Sequence, residues 1–417
     1  MNTRMNFPAH PVPVPPPRVV VTGAGIVTAL GAGWKSNSDG FRAGQTAFRR
    51  VTLFDVSRHR AKMAAEACLP EQMPATQLSA RQSARLDRAS ALLLLAAAES
   101  WRQSGWKPSD DIPVVLGTTS GGMPLGEDYF RQAVRTPRLH RGQATRAFHY
   151  QAHAQGRIVL DAFGLGGPVT IISNACASGA CAIGQAWELL RGGAAERVFT
   201  GGYDVLSEMV FSGFDALQAL SPTCCRPFDK NRDGLAVGEG AAMLALETLD
   251  SARRRDAEIL GEIIGYATTI DRHHLTQPHP EGNAAITAMS QACADAGLTP
   301  ADIDYVNAHG TGTLLNDDAE TAAINCWAGA RAATLPVSST KAGVGHLLGG
   351  AGAVETVVCL MALRGQWLPP ELVLETPDPA CHFPLVTQPR DARVSTVLSN
   401  SFGFGGINAT LILRRWS

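Results

Sequence analysis

The stretch Asn174-Ala175-Cys176-Ala177-Ser178-Gly179 decides how the rest of the chain is read. Before it, Pro168-Val169-Thr170-Ile171-Ile172 is apolar and β-branched, the pattern of a buried strand. After it, Ala180 to Leu190 is built of good helix formers. Cys176 is therefore expected on a tight turn between strand and helix, beside the helix N-terminus. Free N–H groups and the positive end of the helix dipole favour a thiolate there. The small neighbours Ala175, Ala177 and Gly179 leave room for a bulky substrate to reach the sulfur. A buried structural cysteine is the competing reading, and this stretch alone leaves the two balanced.

Outward on the N-terminal side, Arg18 to Gly25 reads as a strand running into Gly-x-Gly. That invites a dinucleotide-binding reading, which fails because Thr28 stands where the third glycine belongs. No acidic residue closes a second strand about 20 residues on. The glycines are instead expected to form a tight strand exit. Residues 79–99 read as one helix, with Arg81 and Arg85 neighbours on its solvated face. Val114 to Gly117 is a strand entering Thr118-Thr119-Ser120-Gly121-Gly122, and Arg131, Arg135, Arg138, Arg141 and Arg146 form a basic segment.

The C-terminal side echoes this layout. Tyr305 to Thr313 is again a strand into a Gly/Thr loop, and Leu335 to Leu363 is again a strand, a turn and an apolar helix. Val394 to Gly406 repeats the strand-into-glycines pattern of Arg197 to Gly202. The expectation is an internal duplication of α/β halves, residues 18–250 and 257–417, behind a Pro-rich leader over 1–17. Three positions of the second half carry chemistry at strand-to-helix turns: His309, Lys341 and His346, each set among glycines. His273, His274 and His279 cluster on a loop without an acidic or cysteine partner at ligand spacing, so a loop role is expected there and no metal site.

Composition bounds the class. With 417 residues, 45% hydrophobic and 18% charged, the chain has ample core, and a net charge of −1 argues against a nucleic-acid-binding body. Apolar runs such as Ala91 to Ala98 are too short to span a bilayer. Nine cysteines without a Cys-x-x-Cys pair, and with Cys224 and Cys225 poorly placed to bridge each other, fit a reducing cytoplasm.

Together, Ala-Cys-Ala-Ser-Gly around Cys176, Ala-His-Gly-Thr-Gly-Thr around His309, Ser-Thr-Lys at Lys341, Gly-His-Leu-Leu-Gly at His346 and Asn400-Ser401-Phe402-Gly403-Phe404-Gly405-Gly406 resemble the β-ketoacyl-acyl carrier protein synthases with a Cys-His-His triad. The resemblance runs in order over residues 18–413. It implies a thiolase fold, two similar halves in five α/β/α/β/α layers. It implies a decarboxylative Claisen condensation with no cofactor beyond the phosphopantetheine of an acyl carrier protein. Cys176 would carry the acyl group. His309 and His346 would hold the enolate, and the backbone N–H groups of Cys176 and Phe402 would form the oxyanion hole. Lys341 would act electrostatically with Glu355. Thr311 and Thr313 would contact pantetheine, Phe402 would gate the acyl pocket, and Arg81 and Arg85 would receive the carrier protein. Gln218 stands where some relatives place another basic residue. Ser120, where elongation enzymes often carry a larger apolar residue, suggests a roomier acyl tunnel.

A homodimer is expected, with a heterodimer with a related subunit as the alternative. The main rival from another class is a non-catalytic partner subunit like the chain-length factors. Such subunits lack the nucleophile that this chain keeps. Thiolases and starter-unit synthases fit less well, because one uses a second cysteine and the other a Cys-His-Asn set. The fatty-acid and the polyketide or aryl-polyene pathways stay open.

Overall fold

The computed structural model describes residues 15–109, 111–136 and 143–416. Residues 1–14 of the expected leader, and Arg138 and Arg141 of the expected basic segment, lie outside them.

Ten strands carry the fold. The first five are β1 (Val19–Thr28), β2 (Val114–Gly117), β3 (Val169–Ile172), β4 (Arg197–Asp204) and β5 (Gly240–Thr248). The second five are β6 (Gly261–Ile270), β7 (Tyr305–Asn307), β8 (Val337–Ser338), β9 (Thr396–Phe402) and β10 (Ile407–Arg414). Their spatial orders are β3-β2-β4-β5-β1 and β8-β7-β9-β10-β6, so the two sets are wound identically. Within each, the first, fifth and fourth strands run antiparallel, and the fourth, second and third run parallel. The two first strands pair antiparallel with each other, Val19 opposite Ile263 and Val21 opposite Gly261, and join the sets at one edge.

Six helices fill three layers: α1 (Arg88–Ser104), α2 (Ala152–Phe163), α3 (Ser178–Arg191), α4 (Asn283–Ala296), α5 (Leu314–Ala328) and α6 (Ala351–Gly365). Strand alternation assigns each strand residue to a layer. Val114 and Leu116 pack with α1 and α2, whereas Val115 between them packs with α3. Val397 and Leu411 pack with α6, whereas Leu398 and Ile412 pack with α4 and α5. The result is α/β/α/β/α, with α3 and α6 in the central layer. Both central helices are apolar nearly all round, as a helix between two sheets must be. The segment Leu348–Gly365 is apolar and long enough to cross a bilayer, but 89% of it is buried between the sheets.

Three local expectations are corrected. Gly23 and Gly25 lie inside β1, where a side chain on Gly25 would collide with the Ala96 carbonyl of α1, so they admit a helix and do not end the strand. Residues 79–99 are not one helix. A short helix, Ala80–Ser83, closes with its own Ser79–Gln82 capping box, and Asp87 caps α1 afresh. Arg81 and Arg85 are both exposed, one in the short helix and one in the turn beyond it. Val169–Ile172 is an edge strand and only partly buried, because its outer side has no strand neighbour among the described residues.

Candidate active site

Four strand ends converge. Cys176 follows β3, His309 follows β7, Lys341 and His346 follow β8, and Phe402 closes β9. All lie at or just beyond the carboxyl ends of their strands, where α/β folds collect ligands. Cys176, His309, His346, Phe402, Thr311 and Thr313 line one cavity of about 350 Å³.

The Cys176 turn is held in a conformation few residues adopt. Ala175 has φ 56°, and the Ser178 hydroxyl both donates to the Ala175 carbonyl (2.5 Å) and accepts from Asn174 N (3.0 Å). The next residue, Ala177, caps α3. The thiol is 9% exposed, and burial pushes its pKa from an ordinary 9.0 to about 12; Lys341 opposes the rise, while Asp204 and Glu355 add to it. That rise corresponds to about 4 kcal/mol, more than the ~2 kcal/mol that a well-placed helix terminus contributes at most. The thiolate expected from the helix N-terminus is thus corrected: at neutral pH the resting group is a thiol, because desolvation outweighs the dipole.

The two histidines face each other, ring centres 5.2 Å apart and planes at 82°. Burial and the nearby Lys341 charge hold both well below the usual histidine range, so both rings are neutral. Leu348, at φ 50°, turns its N–H onto His346 Nδ1 at 3.2 Å. A neutral ring that accepts at Nδ1 carries its proton on Nε2, which makes His346 a hydrogen-bond donor there. The His309 ring centre lies 5.6 Å from that of Phe402, and its Nδ1 is buried without a hydrogen-bond partner among the described residues. Lys341, 1% exposed, donates to the His309 carbonyl at 2.5 Å and to the Glu355 carboxylate. Neither Lys341 nor Glu355 lines the cavity, but the Lys341 charge reaches both imidazoles.

Two carboxylates missed in the sequence fix the His309 loop. Glu320 accepts from His309 N (2.8 Å) and Gly310 N (2.7 Å). Asp317 accepts from Thr311 N (2.9 Å) and Gly312 N (3.1 Å). Both sit on the first turns of α5, three residues apart and so on one face. Acidic residues at that spacing, on the helix that follows a histidine loop, were the signal available. The Thr311 and Thr313 hydroxyls are 2.8 Å apart.

Ser120 is buried and tied to a buried carboxylate. Its hydroxyl donates to Asp204 at 2.7 Å, and the same buried carboxylate accepts from Thr118 Oγ1, Thr119 N, Ser120 N and Gly349 N. Ser120 does not line the cavity, and neither do Arg81 and Arg85. Gln218 does, at the mouth, as does His274. His273 and His279 face each other on the same loop, ring centres 5.1 Å apart. No group of three or more potential metal ligands occurs among the described residues.

Comparison with known proteins decides what this constellation belongs to. Residues 17–252 match the model of the β-ketoacyl synthase N-terminal domain, and residues 260–375 match that of its C-terminal domain. The chain belongs to the β-ketoacyl synthase family. It is 37% identical over 417 residues to a 3-oxoacyl-[acyl-carrier-protein] synthase 2 of Synechocystis sp., covering 96% of this chain and 98% of that one. It is 38% identical over 415 residues to the tetracenomycin polyketide synthase ketoacyl synthase alpha subunit of Streptomyces glaucescens, covering 95% and 97%. Among solved structures, the ishigamide ketosynthase/chain length factor superposes with a TM-score of 0.90 at 30% identity, over 96% of this chain and all of that one. The five-layer arrangement is thus the thiolase fold of the β-ketoacyl synthases.

Proposed function

We propose that this β-ketoacyl synthase condenses an acyl group held on Cys176 with malonyl-acyl carrier protein and extends it by two carbons. One observation carries the reading: a single cavity holds a thiol and two neutral, facing imidazoles, one with its proton fixed on Nε2. In the first half-reaction the Cys176 sulfur attacks a carrier-bound thioester. The acyl–sulfur bond to the carrier breaks, and the carrier's thiol leaves with a proton. In the second, malonyl thioester loses CO₂. The enolate oxygen accepts from His346 Nε2–H and from His309, and the enolate carbon forms the new C–C bond at the Cys176 thioester. The Cys176 C–S bond breaks and the thiolate takes up a proton. The Cys176 and Phe402 N–H groups receive the oxyanion; losing one such donor raises a barrier by roughly 3 kcal/mol.

Lys341 and Glu355 set the field behind His309, and Thr311 and Thr313 meet the pantetheine arm. No dissociable cofactor takes part. The complete thiol-imidazole set argues against a non-catalytic chain-length-factor role. A second subunit belongs to the same proposal. The open edge of β3 and the exposed Tyr129, Phe130, Val134, Phe148 and Tyr150 are the surfaces it would cover. Nine free cysteines, Cys224 and Cys225 among them, accord with a reducing cytoplasm. The test is condensation with acyl- and malonyl-carrier protein: wild type forms the β-keto product and CO₂. His346→Ala becomes acylated but loses decarboxylation by at least about 100-fold. Undiminished decarboxylation by His346→Ala would overturn the reading.

A further inference from the structure

The condensation leaves one buried carboxylate beside the site without a role. Asp204 ends β4 and is wholly buried. Such a group is costly unless it is hydrogen-bonded, and here neutral donors meet both oxygens. Oδ1 accepts from Thr118 Oγ1, Ser120 N and Ser120 Oγ at 2.7–2.8 Å and from Gly121 N at 3.3 Å. Oδ2 accepts from Thr119 N at 2.8 Å and, across to the second half of the chain, from Gly349 N at 2.6 Å.

Gly349 belongs to the turn that orients His346. On the N-terminal side His346 is anchored by its backbone, its N–H donating to the Ala236 carbonyl (2.7 Å) and its carbonyl accepting from Gly238 N (3.0 Å). On the other side Leu348 sits at φ 50°, a conformation a leucine keeps only when its surroundings hold it there. The two peptide planes that meet at the Leu348 Cα are both pinned. Leu348 N, in the first, donates to His346 Nδ1, and Gly349 N, in the second, donates to Asp204. Gly349 also lies hard against the segment that Asp204 holds: a Cβ there would stand 2.4 Å from Thr119 N.

We propose that Asp204 is a positioning residue for the His346 proton: by holding the Leu348–Gly349 peptide it keeps Leu348 left-handed, the Leu348 N–H on Nδ1 and the ring proton on Nε2. Without that hold Leu348 relaxes, Nδ1 loses its donor, and the neutral ring carries its proton on either nitrogen. The effect on rate rests on the condensing reading above, in which only the Nε2–H form donates to the enolate; the effect on the ring does not.

The experiment compares wild type, Asp204→Ala and Thr118→Val. Nitrogen-15 NMR of histidine-labelled protein, with the His346 signal assigned by its loss in His346→Ala, reads the tautomer. Wild type should show one Nε2–H form and Asp204→Ala both forms. Asp204→Ala should also lower kcat for malonyl decarboxylation at least about fivefold, as the ring loses its tautomer and its fixed orientation, while acylation of Cys176 is not slowed. Thr118→Val removes a donor to Oδ1 and spares the Gly349 bond, so it should keep the single tautomer and both rates within about twofold. Wild type alone supplies a measurement that no folding defect can spoil: the Gly349 amide should exchange with deuterium at least about a thousandfold more slowly than an open-chain amide. A single Nε2–H form in Asp204→Ala, an equal loss of acylation and decarboxylation, the same defects in Thr118→Val, or fast exchange at Gly349 would each overturn the proposal. Wild type that neither acylates nor decarboxylates would count against the condensing reading, and the NMR comparison would still decide the role of Asp204.

Discussion

At Cys176 two local effects oppose each other, and their sizes settle the outcome. The helix terminus favours the thiolate, and burial disfavours it by more. Alkylation by a small neutral reagent should therefore climb about tenfold per pH unit from 7 to 9 without levelling off; a plateau with a midpoint near 7 would show a pre-formed thiolate. The identities of Cys176, His309, Lys341 and His346 were legible because each reactive side chain stands among glycines and alanines at a strand end. The protonation state was not, since it depends on burial by groups such as Asp204 and Glu355, distant in sequence. The hydrogen bonding of Ser120 was hidden for the same reason. Its partner Asp204 lies 84 residues away and makes the hydroxyl a structural donor. Ser120→Ala is expected to cost about 1–2 kcal/mol of stability in urea unfolding and to leave the range of accepted chain lengths unchanged; a longer or shorter range would restore the tunnel reading.

At the scale of elements, α5 is the part that periodicity could not assign. Its acidic residues belong to none of the motifs read from the sequence, yet Asp317 and Glu320 are buried and hold four backbone N–H groups of the His309 loop. Burial raises Glu320 from 4.5 to about 7. The folded state therefore binds more protons than the unfolded chain between those values. Stability present at low pH is lost as pH rises through that window, by about 3 kcal/mol for this group. Glu320→Gln should flatten the fall in stability between about pH 4.5 and about pH 7, seen as a smaller shift of the urea midpoint. An unchanged pH profile would mean that Glu320 stays ionised throughout. The strands were easier: β-branched runs ending in glycine marked β2, β4, β7 and β9. The break between Ala80–Ser83 and α1 was overlooked although its signal is local: Asp87 accepts from Ser90 N, three residues on, and so starts a new helix.

For the whole molecule, the repeat of pattern without repeat of residues reflects what the fold demands. Identical strand order in both sets requires apolar strands and a buried central helix twice, but only one nucleophile and one pair of imidazoles. The central contact is tight: a side chain on Gly352 would stand 2.7 Å from Ala180 N and from the Ser401 hydroxyl. Gly352→Ala gains about 1 kcal/mol of helix propensity but is expected to lose more to overpacking, for a net loss of about 1–2 kcal/mol in chemical denaturation. A more stable variant would show that α3 and α6 can separate freely. The apolar length of Leu348–Gly365 follows from the same central position and not from any membrane, a distinction composition alone does not make.

All of this turns on Cys176 as the atom that accepts the acyl group. Intact-mass spectrometry of wild type and Cys176→Ala after incubation with a panel of acyl-carrier proteins measures that directly. The account predicts a covalent acyl adduct on wild type only, which malonyl-carrier protein discharges as a chain two carbons longer. An adduct of equal yield on Cys176→Ala, or none on wild type with any donor, would contradict it.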